Sequence, residues 1–498
     1  MKLSRRDFVE QALLAATAAL ATGTGASLLA ADEAQPASAP GRTIGPNDKI
    51  RVAVIGVNGQ GGAHLGEWLR NPDVDLVAVC DCDPAAYQKH ESKFKNLPHV
   101  PEYVQDVRKL LENKNIDAVS IATPNHWHAL MAVWAMQNGK DVYVEKPCSH
   151  NVREGRVMTQ WARKLGRMCQ MGVQSRSMKG MRQTLEFVHS GKIGKVAAAH
   201  AICYRRRGSI GLVDTEAPIP AGLDFDLWCG PAPKIVPKRK RLHYDWHWVF
   251  ATGNGDLGNQ NPHELDKARW GLGKQELPRH VISLGGRLGY VDNGDVANSQ
   301  VTIYQWDDAL LISDVRGLDI KSPVTFGLKG LEKPFDGAAN IWYGTEGYAV
   351  GPNYSSGVAF DYDGNVLGKW SGGEYQAHFA NFVKAIRSRN HQDLHLDIED
   401  GHLSSALAHL GNVSYRQGQV VPEGTRPSDL TSNKHVMETL TSFENHLKEN
   451  GVDFNTTPYH LGQALTIDPK TELSTDEAAN RLFTREYRQG FELPIPPA

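Results

Sequence analysis

Apolar residues in this chain come as short runs separated by segments of helical spacing. RVAVI at 51–55, LVAVC at 76–80 and the runs at 118–121 and 142–144 have the composition of strands buried on both faces. Between and after them, 126–138 and Val152–Leu165 carry apolar residues at i, i+3 and i+4, as amphipathic helices do. That alternation predicts a parallel sheet wrapped by helices, with one more short strand at 168–173. Beyond Met178 the pattern changes. A helix to about Ser190 leads into a strand at 196–204, a long stretch rich in Gly, Pro and aromatics, and paired runs at 301–306 and 310–315. Asp363-Gly364 between alternating runs at 358–362 and 366–370 marks a hairpin. Helical spacing returns at 375–389, at 401–416 and near 433–449, before a Pro-rich end. The second half is therefore expected to be a largely antiparallel sheet with helices packed on it.

The first strand runs into Gly56-Val57-Asn58-Gly59-Gln60-Gly61-Gly62, and the second closes on Asp81. Strand, glycine turn, helix, strand and acid, in that order, form the first half of a dinucleotide site. Glycines let backbone N–H groups approach a pyrophosphate at a helix N-terminus, and the acid accepts hydrogen bonds from a ribose diol. Read as G-x-G-x-x-G, the segment has Asn58 at the second glycine, the cheapest substitute if that residue needs a positive φ. Asp81 followed by Cys82, with no Arg nearby, repels a 2′-phosphate and favours NAD over NADP.

Composition narrows the partner. The 498 residues suffice for two or three domains, and a net charge of −2 leaves no basic surplus for nucleic acid. A small molecule is expected instead. The 6 cysteines are too few and scattered for a disulfide scaffold and read as mostly buried thiols. Ser4-Arg5-Arg6-Asp7-Phe8, an Ala/Leu/Thr stretch to Ala31 and an Ala/Pro/Ser linker read as a twin-arginine export signal over 1–40. The mature protein is then expected in the periplasm or otherwise exported, without stable membrane insertion.

Glu145-Lys146-Pro147 follows a strand end, where an open α/β sheet places its ligands, one strand after Thr123-Pro124-Asn125-His126-Trp127-His128. His126 and His128 lack a third ligand at useful spacing, so no metal is expected. Trp246 and Trp248 offer aromatic faces of the kind that stack on sugars, although such stretches are more often core.

These motifs, in this order and spacing, resemble the Gfo/Idh/MocA (glucose–fructose oxidoreductase/inositol dehydrogenase) family over about 48–418. The resemblance implies an α/β protein: a Rossmann domain (48–172) that binds NAD(P), then an α/β domain (173–420) whose large open, mostly antiparallel sheet closes over a sugar or cyclitol. Residues 421–498 form an extension expected to pack on the main body or on a partner subunit. The resemblance further implies a homo-oligomer, Lys146 as the catalytic lysine, and Asn125 and His128 near the cofactor. Gly56, Asn58, Gly59, Gln60, Gly61, Asp81, Thr123, Glu145 and Lys146 complete the expected cofactor set.

In the family's second motif an Asp precedes a His by four residues. Here Asn259 occupies the Asp position while His263 and Asp266 are retained. Asn accepts no proton, so His263, with an ordinary pKa near 6.5, is the expected general base, Asn259 is expected to orient a substrate hydroxyl, and Asp266 is expected either to contact substrate or to serve helix N-terminal packing. The expected activity is hydride transfer between a carbohydrate hydroxyl carbon and a tightly held NAD. Two alternatives stand beside it: a redox-neutral glycosidase working by transient oxidation and elimination, and a sugar or nucleotide binder without catalysis.

Overall fold

The computed structural model describes Ile44, Gly45 and residues 47–497; the expected export signal lies outside the described residues. The first sheet contains β1 (Ile50–Ile55), β2 (Val74–Cys80), β3 (Glu102–Val104), β4 (Ala118–Ile121), β5 (Asp141–Glu145) and β6 (Cys169–Gly172). Its order is β3-β2-β1-β4-β5-β6, all parallel. β4, β5 and β6 are buried along their whole length, which is why they read as unbroken apolar runs. Strand order reverses between β1 and β4, and the crevice at their carboxyl ends is where such a sheet takes a ligand. Helix Val152–Leu165 is started by Asn151, whose side chain accepts from Glu154 N at 3.0 Å, and is stopped by Gly166 at φ 60.

The second sheet runs β14-β13-β12-β11-β7-β10-β9-β8-β16-β15. In chain order its members are β7 (Ala198–Tyr204), β8 (His280–Gly286), β9 (Ser299–Gln305), β10 (Leu310–Arg316), β11 (Ala338–Tyr343), β12 (Gly347–Gly351), β13 (Ser356–Asp361), β14 (Val366–Ser371), β15 (Gln419–Val420) and β16 (His460–Leu461). β17 (Leu465–Asp468) also pairs with β8, and β18 (Leu473–Ser474) pairs with β17. Only β7 and β10 pair in parallel; every other neighbour is antiparallel. One face packs against helices Lys179–His189, Pro262–Leu272 and Ile398–Arg416. The other is covered by the chain itself: Val436, Leu440, Phe443 and Leu447 of helix Lys434–Glu449 lie on β9 and β10, and Phe326, Leu328 and Leu331 lie over β7, β11 and β12.

Residues beyond 421 therefore join the sheet and its covering layer. The helix read at 401–416 begins at Ile398, because Asp397 caps it by accepting from Glu399 N at 3.0 Å. All 6 cysteines are free thiols, with only Cys82 partly exposed. Among the described residues no helix is long and apolar enough to cross a membrane.

Candidate active site

The glycine turn is built by contact. A Cβ on Gly56, which sits at φ +80, would lie 2.8 Å from Thr123 Cγ2 and 2.9 Å from Thr123 N; on Gly61 it would lie 1.8 Å from the Gly56 carbonyl oxygen. The loop thus closes on itself and on the β4 turn. Gly59, the N-cap of helix Gln60–Arg70, has no heavy atom within 4 Å of where a Cβ would stand. The first helical turn opens into the cleft there, presenting its leading amides and the positive end of the helix dipole, which suits a pyrophosphate. Asn58 is not among the residues at positive φ. Its contribution comes from the side chain, whose Oδ1 accepts from Lys89 Nζ.

Asp81 is fixed at the end of β2. Its Oδ2 accepts from Val57 N at 2.8 Å and its Oδ1 from Asp83 N at 3.0 Å. Burial pushes its pKa up, and the two amides pull back. Cleft-facing carboxylate lone pairs match a ribose diol, so glycine turn and acid together fit a dinucleotide.

Glu145 ends β5 on the cleft floor. Its Oε1 meets His64 Nε2 at 3.0 Å and Gln60 Nε2 at 3.2 Å, and its Oε2 accepts from Lys146 N at 3.1 Å. Burial alone would raise this pKa, but the His64 hydrogen bond and the Lys146 charge outweigh it and hold Glu145 at about 2. His64, whose Nδ1 contacts Ser120 Oγ at 2.9 Å, escaped the sequence reading; its only signal is a polar ring on the sheet-facing side of an amphipathic helix. His128 lies between Pro147 O at 2.6 Å and Thr123 O at 2.7 Å, tying the lysine turn to the β4 turn, and burial lowers its pKa. Asn125 Nδ2 donates to Asn254 Oδ1 at 2.9 Å, linking the two domains. His126 meets a separate pair of carbonyls, of Thr252 and Trp228.

Lys146 projects from the first domain until its Nζ donates to Asn259 Oδ1 of the second at 3.4 Å. Asn259 is backed by Asp256 at 3.5 Å, and Arg207 clamps Asp256 with bonds of 2.7 and 2.8 Å. His263 follows at the start of the next helix, 6% exposed, its ring 4.8 Å from that of Tyr354. Its Nδ1 is buried and unpartnered. Burial, then the positive Lys146, drive its pKa well below 6.5, while Glu145 opposes them. The ordinary value expected from sequence is thus corrected: the ring is neutral across the physiological range.

Asp266 is corrected too. Arg176 holds it with bonds of 2.7 and 2.9 Å and Ser404 adds one at 2.8 Å, so of the two expected roles this fully buried carboxylate takes the structural one, in an ion pair, and not substrate contact. Trp246 lines the cleft, whereas Trp248 turns to Arg207 at 5.6 Å. Leu227, Trp228, His243, Tyr244 and His247 join Trp246 as the outer wall, a role their sequence did not disclose.

Residues 50–173 match the model described as "Oxidoreductase family, NAD-binding Rossmann fold", and residues 201–323 match "Oxidoreductase family, C-terminal alpha/beta domain". The two matches are to the NAD-binding and C-terminal domains of the Gfo/Idh/MocA oxidoreductase family. A curated relative, "Glycosyl hydrolase family 109 protein" of Shewanella pealeana, is 30% identical over 209 residues, covering 40% of this chain and 46% of the relative. The match thus spans about half of that protein. The WlbA dehydrogenase of Bordetella pertussis, solved in complex with NADH and UDP-GlcNAcA, shares the fold at TM-score 0.51 and 19% identity, over 72% of this chain and 94% of that one. An aldose-aldose oxidoreductase from Caulobacter crescentus does so at TM-score 0.52 and 15% identity, over 72% and 94%.

Proposed function

We propose that this protein moves a hydride between a hydroxyl-bearing carbon of a sugar, sugar derivative or cyclitol and a nicotinamide cofactor that it keeps bound. The observation that carries the reading is the meeting of Lys146 and Asn259 across the domain junction at 3.4 Å, with His263 at the start of the helix that follows. Gly56, Gly59, Gly61 and Asp81 would hold the cofactor, with Asp81 and the neighbouring Asp83 favouring NAD over NADP by repelling a 2′-phosphate. When bound, NAD supplies the hydride acceptor.

Lys146 Nζ donates to the oxygen of the reacting hydroxyl and Asn259 orients that group. Neutral His263 takes the hydroxyl proton as the C–H bond breaks. Glu145, held ionised by His64, anchors the Lys146 backbone from below. The Trp and His wall keeps bulk water off the reacting carbon.

Residues 4–31 carry the features of a twin-arginine signal, and that route exports folded proteins with cofactor inside. Outside the cytoplasm free NAD is scarce, which favours a cycle that returns the hydride. A second reading, a redox-neutral glycosidase in which oxidation acidifies a neighbouring C–H and permits elimination, is favoured by the relative named as a glycosyl hydrolase.

The test begins with mass and absorbance analysis of the purified protein for NAD(H) or NADP(H), then turnover of candidate glycosides in labelled water. Lys146→Ala should abolish turnover with the cofactor still bound. Full activity in that variant would remove Lys146 from the chemistry. Product carrying solvent label without net reduction marks the glycosidase; accumulating NADH or a reduced second sugar marks the oxidoreductase.

A further inference from the structure

The outer wall of the cleft belongs to the irregular stretch 219–250, and it is docked on the nucleotide domain at many points. Asp224 N donates to Cys82 O at 3.0 Å, Gln105 Nε2 to Gly222 O at 2.9 Å and Trp127 Nε1 to Leu227 O at 2.9 Å; His126 Nε2 meets Trp228 O at 3.0 Å and His243 Nε2 meets Asp83 at 2.8 Å. Gly230 approaches the Trp127 ring so closely that a Cβ there would lie 2.2 Å from it. Leu227, Trp228 and His243 thus face Asp81 and Cys82 across the cleft, and Tyr244, Trp246 and His247 extend the same wall toward Lys146. The cleft has a roof.

The roof is itself tied down by the C-terminal end of the chain. Arg485 Nη2 donates to Ala251 O at 2.8 Å, just past the roof. Arg488 reaches Asp226 in the short roof helix Phe225–Cys229 through both side chain and carbonyl, at 2.5 and 3.2 Å. Phe491, 4% exposed, packs edge-on to Trp127 at 5.6 Å under the same helix and belongs to the core of the nucleotide domain. Trp161 Nε1 then fixes Pro494 O at 2.8 Å on helix Val152–Leu165. A segment with these contacts crosses from the roof to the domain that carries the glycine turn, so the roof cannot lift without breaking them.

We infer that residues 485–494 are a strap whose function is cofactor retention, with Arg488 and Phe491 as positioning residues that act through the roof. The inference rests on the dinucleotide reading of the cleft. It assigns a purpose to the end of the chain: a nucleotide enclosed between glycine turn and roof leaves only as fast as the roof opens, and the strap slows that opening.

The experiment uses the full-length protein and reads two quantities. Hydrogen exchange of residues 222–230 in the absence of nucleotide reports roof opening, and NADH fluorescence after dilution into excess NAD reports release. Phe491→Ala should accelerate both by roughly tenfold or more, and Arg488→Gln by a smaller factor. Asp226→Asn should move both readouts in the same direction as Arg488→Gln, with a less than additive effect when the two are combined, because they share the side-chain contact, although Asp226 also meets Lys234 at 2.9 Å and Arg488 also reaches the Asp226 carbonyl. Should Phe491→Ala lower global stability, the half-buried Arg488 and Asp226 variants keep the question open to measurement. Exchange at 222–230 unchanged in all three variants overturns the strap. Faster exchange with wild-type NADH release overturns its retention role. A protein that binds neither NAD(H) nor NADP(H) overturns the cofactor reading, while the exchange data still judge the strap.

Discussion

Replacing Gly61 with alanine should separate the nucleotide site from the rest of the fold. The new methyl would stand 1.8 Å from the Gly56 carbonyl oxygen and 2.8 Å from its carbon, where non-bonded atoms settle near about 3.5 Å. Neither neighbour is a flexible side-chain tip, so the turn itself must open by well over an ångström. Overpacking of this kind costs about 1–3 kcal/mol of stability. The displaced backbone is also the one that must approach the pyrophosphate. Losing one hydrogen bond to a charged group, about 2 kcal/mol, weakens NAD(H) binding roughly thirtyfold. Gly66, five residues along the same helix, supplies the control: no heavy atom lies within 4 Å of a Cβ there, so Gly66→Ala should stabilise by about 0.5–1 kcal/mol and leave binding unchanged. Denaturant unfolding and fluorescence titration with NADH measure the two effects. Binding by Gly61→Ala within about threefold of wild type would show that close approach at this turn is not what holds the cofactor.

Three further outcomes follow from the buried charges. Because His263 is neutral well below pH 6.5, the acid limb of kcat/KM assigned to it should fall below that value, and a limb at or above 6.5 would remove it as the base. Glu145 is held at about 2 against an ordinary 4.5, so its stabilisation, at most about 3 kcal/mol, is present above pH 4.5 and is lost as pH falls toward 2. His64→Phe should therefore lower Tm at pH 7, with the gap to wild type closing between pH 4.5 and 2; a gap independent of pH would mean that the pairing contributes nothing. Asp266→Asn weakens a buried ion pair and should cost about 3–5 kcal/mol while kcat/KM of the folded protein stays within about threefold; turnover lost without stability would restore a substrate role.

What could be read from sequence divides along a physical line. β1, β4 and β5 are buried on both faces, so their apolar runs could be nothing else, and the glycine turn, Asp81 and Lys146 sit at fixed offsets from those strands. β8 begins with an exposed His280, β12 is flanked by Gly347 and Gly351, and β3 is only Glu102–Val104; none has a period long enough to stand out. Asn58 shows where a motif reading misjudged the backbone. It does not take up the left-handed region, and its Oδ1 accepts from Lys89 Nζ.

The same division explains why the strand-end residues were legible and the wall over them was not. Lys146 follows directly on a buried strand, so its position is encoded locally. The wall over 219–250 is held by the Cys82 carbonyl, the Gln105 side-chain amide, the Trp127 indole and, far along the chain, the Arg488 guanidinium, with Phe491 packed on Trp127. None of these contacts has a periodic signature, because each joins irregular backbone to a partner a hundred or more residues away. On the strap inference, they would decide whether bound nucleotide is a passing substrate or a resident cofactor. If the roof and its strap hold, the hydride taken from one carbon has no exit except return to the same sugar or transfer to the next one admitted. The choice between glycosidase and oxidoreductase then depends on how long the first sugar stays in the cleft relative to elimination, a property of the wall at Tyr244, Trp246 and His247 more than of Lys146.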